Sequence, residues 1–147
     1  MNNLSDNSID NKPDFSFRKS ERLCSRKLID RLFAEGNSVF AFPLKFIYLE
    51  SGLTTAPPAQ AGFAVSKKNF KRAVQRNLIK RRMREAYRLH KPGFYEALKE
   101  KHVAVFFVYI AKEIVDYAVI ESAIIKGLKK LVREIQTKPN NNSQRLP

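Results

Sequence analysis

The stretch HVAVFFVYIA, residues 102–111, restricts the fold of this chain more than any other feature. An unbroken apolar run rich in β-branched and aromatic residues reads as a strand buried on both faces, which places it at the centre of a sheet. No stretch reaches the roughly 18 to 20 apolar residues that cross a bilayer, so no membrane partner is expected.

Elements of both periods surround this strand. SERLCSRKLIDRLFAEG, from Ser20 to Gly36, offers a Ser cap, apolar Leu23, Leu28, Ile29, Leu32 and Phe33, and a glycine stop. It predicts one or two short helical turns and then a helix over about 25–35. Val39 to Glu50 alternates, with Pro43 interrupting, and reads as a strand or a pair of short edge strands. TTAPPAQ makes a loop, and GFAVS, residues 62–66, a second short strand. A long helix follows and is expected to stop near Lys91-Pro92-Gly93, with a weaker helical stretch around Tyr95 to Lys101. After the apolar strand, DYAVIESAIIKGLKKLVREIQ sets Val119, Ala123, Ile124, Leu128, Leu131 and Ile135 on one stripe, despite Gly127. The order α-β-β-α-β-α predicts one α+β domain over 16–137, with polar tails at 1–15 and 138–147. Strand, long helix and apolar strand form a candidate βαβ crossover.

The long helix carries the charge. SKKNFKRAVQRNLIKRRMREAYR spans Ser66–Arg88, and from Lys67 to Lys91 it holds eleven of the chain's 28 lysines and arginines against a single acid, Glu85. Residues three and four apart share a helical face, so Arg76, Lys80, Arg84 and Arg88 form one row, with Asn77 and Arg81 beside it. Val74, Leu78, Ile79, Met83, Ala86 and Tyr87 fall mainly on the opposite, core side. Like charges at this spacing repel by a few tenths of a kcal/mol per pair, roughly, so the row suits a polyanion that compensates it.

The formal net charge of +14 fits a nucleic-acid partner. DNA is disfavoured, because no helix-turn-helix, zinc or zipper context surrounds the helix. A structural RNA-binding module of ribosomal type remains open, since a basic helix on a small sheet serves either job. The single Cys24 excludes intramolecular disulfides and Cys-pair zinc sites, and reads as a semi-buried thiol. With only His90 and His102 and scattered acids, no protein-borne hydrolytic centre is expected. The N-terminus lacks a signal pattern, which points to the cytoplasm.

VSKKNFKRAVQRNLIKRRMREAYR closely resembles the arginine-asparagine signature of the bacterial ribonuclease P protein component, and FAEG, GFAVSKK and FVYIAK fall in that family's order, covering roughly residues 20–135. The resemblance implies an α/β sandwich on a four-stranded sheet with an unusual left-handed crossover. It further implies a protein that assists a catalytic RNA in cutting the 5′ leader from precursor tRNA. Arg76, Asn77, Lys80, Arg81 and Arg84 take the signature positions that face the catalytic RNA, with Ser66, Lys67, Lys68 and Arg72 flanking them and Arg88 closing the row as a further catalytic-RNA contact. Phe33 matches a leader-contacting aromatic, Ile29 stands where the family often has Phe, and Phe46 and Tyr48 are further candidates on a strand whose faces exchange with a one-residue slip. No cofactor or metal is expected on the protein itself, and Mg²⁺ is expected through the RNA. Arg82, where the family commonly has an aliphatic residue, is expected to snorkel to the helix edge.

Overall fold

Local chemistry sets where each element begins and ends. The structure, a computed structural model, describes residues 14–51 and 57–137. Most of the two polar tails and part of the expected 54–60 loop lie outside these residues. After one 3₁₀ turn at Lys19–Glu21, helix α1 runs Arg26–Glu35. Ser25 caps it, its hydroxyl accepting from the Leu28 N–H at 3.2 Å. Gly36 ends it with its N–H on the Leu32 carbonyl at 2.8 Å, and a Cβ at Gly36 would stand 2.4 Å from that oxygen, so only glycine fits this close approach.

Strands β1 (Asn37–Ala41) and β2 (Leu44–Glu50) form a hairpin, β3 covers Ala59–Val65, and β4 covers Val103–Tyr109. The sheet order is β1-β2-β4-β3. β1 and β2 pair antiparallel, as do β2 and β4, whereas β3 and β4 are parallel neighbours joined through the long helix α2, Ala73–Leu98. The apolar run is therefore central, as its composition requires. β2 is interior too, so only β1 of the hairpin keeps the expected edge position.

Helix α2 extends over Ala73–Leu98 and passes through Pro92 and Gly93, where a stop was expected. A proline inside a helix costs about 3 kcal/mol. Beyond it the helix buries Phe94 and Leu98 in the core, each worth about 1.5–3 kcal/mol, which outweighs that cost. The weaker stretch at 95–101 is the end of the same helix. Helix α3, Tyr117–Thr137, buries Ile120, Ala123, Ile124, Gly127, Leu128, Leu131 and Ile135. Val119 is 42 % exposed, so the stripe runs through Ile120 instead. Gly127 is explained by packing: a Cβ there would lie 2.0 Å from the Phe46 ring.

The sheet is covered on both faces. Helices α2 and α3 bury one face around Phe46, Tyr87, Phe107 and Tyr109, and α1 with Leu23 covers part of the other through Leu32, Ile47, Leu49 and Ala104. Parity follows from the register. Residues 44, 46 and 48 of β2 and 103, 105, 107 and 109 of β4 face α2 and α3, whereas 45, 47, 49, 104, 106 and 108 face outward toward α1.

Candidate nucleic-acid interface

The turn that leads into α2 is built to present lysines. The Phe70 N–H donates to the Ser66 carbonyl at 3.0 Å, and the Lys68 N–H donates to the Ser66 hydroxyl at 3.0 Å. Phe70 is buried, its ring 5.8 Å from that of Tyr109, and this anchors the turn while Lys67, Lys68 and Arg72 stay exposed. No acid occupies the first helical turn. The positive end of the helix dipole and these cations therefore add in the same direction.

Along the helix the cations divide by role. Asn77, Arg81 and Arg84 are exposed, whereas Arg76, Lys80 and Arg88 are half-buried. Arg76 donates from one guanidinium nitrogen to the carbonyls of Phe70 and Lys71, at 2.8 and 2.9 Å, and so ties the entry turn to the helix. Arg88, expected in the contact row, pairs with both carboxylate oxygens of Glu85 and donates to the Phe15 carbonyl at 3.0 Å. Its charge is largely met within the protein, which corrects its place among the free cations. Arg82 reaches from the core side to the Val115 carbonyl at 2.8 Å, pinning the turn before α3. Val74, placed on the core side by its position on the wheel, is 77 % exposed.

A segment with no assigned role in the sequence reading widens the basic face. Residues 14–24 run beside the edge of β3, with the Leu23 N–H on the Ala61 carbonyl at 2.9 Å. A buried cluster holds this strap: the Glu21 carboxylate accepts from the Lys91 ammonium, from the Tyr95 hydroxyl at 2.6 Å and from the Arg18 N–H at 3.1 Å. Burial opposes the Glu21 charge, but these three donors hold its carboxyl below the usual carboxylate value. As a result, Phe17 and Arg22 of the strap face Lys80 and Arg84 of α2 across a depression of about 410 Å³ floored by Gly62 and Phe63. The Arg84 guanidinium lies 6.0 Å from the Phe63 ring centroid and that of Arg22 5.7 Å from Phe17. Cys24, at the end of the strap, is exposed rather than semi-buried.

The outer face of the sheet forms a second surface. Phe33 is 52 % exposed, and its ring centroid lies 5.2 Å from that of Phe106. Ile29 is half-buried beside them and packs with Leu28 against Leu32 and Ile47. Phe106 pairs in register with Ile47 on one side and Gly62 on the other. Gly62 also floors the basic depression, so the aromatic groove and the cationic helix face meet at the edge of β3.

Two expected contacts are overturned by the register. Phe46 is fully buried under α3 against Phe107, and Tyr48 is buried with its hydroxyl on Glu134 at 2.5 Å. Neither offers a face to RNA. Their outward neighbours are Lys45 and Ile47, and the aromatic that the groove does use is Phe106, which an apolar run read without its register assigns to core or sheet face. Among the described residues no group of three His, Cys, Asp or Glu side chains converges to hold a metal, and no helix is long and apolar enough to cross a membrane.

Comparison with known proteins places the chain beside one family and agrees with the fold. A family model described as Ribonuclease P matches residues 17–136. The ribonuclease P protein component of Porphyromonas gingivalis strain W83 is 33 % identical over 132 residues, spanning 88 % of this chain and 96 % of that one. That of Chlorobium phaeobacteroides is 42 % identical over 88 residues, or 58 % and 60 % of the two chains. Among solved structures, the RNase P protein of Staphylococcus aureus matches with a TM-score of 0.59 at 26 % identity, covering 77 % of this chain and 96 % of that chain. The protein from Thermotoga maritima matches with a TM-score of 0.61 at 25 % identity, covering 75 % and 96 %.

Proposed function

Because the chain belongs to the ribonuclease P protein family, the protein part of a ribonucleoprotein endonuclease that matures the 5′ end of tRNA, we propose a division of labour between its two surfaces. The α2 face binds the catalytic RNA, and the outer groove receives the single-stranded 5′ leader of precursor tRNA. The observation that carries this reading is the junction at Gly62, where the cations of the basic face meet the exposed Phe33 ring and the half-buried Phe106 ring.

Each surface suits its partner chemically. Arg81 and Arg84 offer planar forks that take phosphate bidentately or stack on a base, Lys67, Lys68 and Lys80 supply point charges, and the Asn77 amide both donates and accepts. Ser66, Arg72 and Arg76 shape the turn that presents them. In the groove, Phe33 and Phe106 stack on bases of any identity, and Ile29 supplies apolar contact. Stacking on an aromatic contributes about 1–3 kcal/mol per base, which fits a leader that varies from one tRNA to the next.

The cleavage chemistry belongs to the RNA partner on this reading. The RNA phosphates organise Mg²⁺, and the protein lowers the repulsion between catalytic RNA and substrate, so that less Mg²⁺ suffices. The setting is cytoplasmic, with no membrane or DNA partner. A purely structural role of ribosomal type leaves the exposed Phe33 ring, set against Phe106, without a purpose. Reconstitution tests the reading: added to its cognate catalytic RNA at low Mg²⁺, the protein raises precursor tRNA cleavage well above that of RNA alone and cuts nothing by itself. Equal cleavage with and without protein overturns it.

A further inference from the structure

One exposed surface is used by neither the basic helix nor the groove. Phe40 of β1 and Phe42 in the hairpin turn leave 55 % and 70 % of their surface to solvent. Both rings line one depression, and contiguous exposed apolar surface rimmed by polar residues marks an interaction site. Phe40 is opposite Lys45, and Lys45 is opposite Val108, on the same outward face as Ile47 and Phe106. The groove therefore continues across β2 onto Phe40.

Past the edge of β1 the surface turns toward α3 without losing its character. A depression of about 590 Å³ is lined by Phe40, Phe42, Val119, Ser122, Lys126 and Lys130 among others, and by no carboxylate. The Lys130 ammonium donates to the Phe40 carbonyl at 2.9 Å, and that of Lys45 stands 5.6 Å from the Phe40 ring centroid. None of the ion pairs among the described residues engages Lys45, Lys126 or Lys130. Exposed rings that accept any base, beside lysines that meet no acid, suit a single-stranded polyanion carrying bases.

We propose that this face carries single-stranded RNA onward from the Phe33–Phe106 groove, with bases stacked on Phe40 and Phe42 and phosphates held by Lys126 and Lys130. The proposal rests on reading the groove as the leader's path, and it lengthens that path by one strand and a helix. It assigns the more distant part of a leader a site of its own, so long leaders bind more tightly than short ones.

Fluorescence anisotropy with the full chain and labelled oligouridylates of about 4 and about 12 nucleotides tests this. The short probe fills the groove alone, and the long one reaches past it. The double variant Phe40→Ala/Phe42→Ala is expected to leave short-probe affinity unchanged and to weaken the long probe about tenfold or more, since each stacked base is worth roughly five- to a hundredfold. Lys126→Ala/Lys130→Ala is expected to lower the salt slope of the long probe by about 1.4, at roughly 0.7 per phosphate contact, and supplies the test if the aromatic variant unfolds. Unchanged long-probe binding in both variants overturns the proposal, as does an equal loss on both probes. Self-association that is abolished by Phe42→Ser in sedimentation also overturns it, because a second copy then covers the face. Phe33→Ala separates the two readings: if it spares the short probe, the groove reading fails, while the length-dependent loss still judges the outer face.

Discussion

The ring of Phe33, on α1, and that of Phe106, on β4, lie 5.2 Å apart at an interplanar angle of 54°. Two elements separated by half of the chain thereby build one aromatic platform, with half of the Phe33 surface left open. Phe33→Ala is expected to weaken precursor tRNA binding by about 1–3 kcal/mol, the worth of one stacked base, while mature tRNA binding stays unchanged. Phe106→Leu keeps the apolar contact and is expected to lose less than Phe33→Ala. Filter binding with matched precursor and mature tRNAs checks both, and equal losses on the two tRNAs point to a folding defect.

Arg76 and Arg81 separate structure from contact within one helix face. Arg81 is exposed and enters none of the ion pairs among the described residues, so Arg81→Ala is expected to change unfolding free energy by less than about 0.5 kcal/mol and to lower the salt slope of RNA binding by about 0.7 to 0.9. Arg76→Ala removes the hydrogen bonds to Phe70 and Lys71. It is expected to destabilise the fold by about 1–3 kcal/mol in addition to weakening RNA binding. Denaturant melts paired with salt titrations of the two variants distinguish these roles.

Glu21 and Lys91 form a buried ion pair that holds the strap against α2. Glu21→Gln leaves the Lys91 ammonium without its counter-charge and is expected to cost about 3 kcal/mol at neutral pH. Because folding lowers the Glu21 pKa from its ordinary value of 4.5, the contribution is fully present above that value and is lost as pH falls through the lower, folded-state value. Wild-type and variant stabilities therefore converge in acid. A difference that stays constant from neutral pH to well below the ordinary value contradicts the assignment.

Gly127 allows the Phe46 ring to lie against the bare backbone of α3. Gly127→Ala gains about 1 kcal/mol of helix propensity but drives a methyl group into that ring, and overpacking of this kind costs about 1–3 kcal/mol. The clash is expected to dominate, with a lower thermal midpoint. In a Phe46→Leu background the same Gly127→Ala change is expected to cost less than it does beside the full ring.

The elements and the charge face were legible in the sequence because they rest on local signals. Helix period, a serine cap, the Gly36 stop and the apolar run at 102–111 each act within a few residues, and cation density between Lys67 and Lys91 needs no structure to be counted. The end of α2 was misread for the opposite reason. Pro92 is a local stop signal, and only the burial of Phe94 and Leu98 overrides it. The strap has no local signature, because Glu21 and Lys91 stand far apart in the chain and look like ordinary surface charges until they are paired.

By itself, then, the sequence determined a basic helix on a small mixed sheet and, through its motif, the family and its RNA partner. Tertiary structure decided which side chains stay at the surface, free to meet a partner. The two-residue turn that sets Leu44 opposite Ala41 fixes the parity of β2, sending Phe46 and Tyr48 into the core and leaving Ile47, beside Phe106, on the groove side. A strand's side chains alternate with period two, so a single step of register, invisible to composition or motif, exchanges core for contact surface.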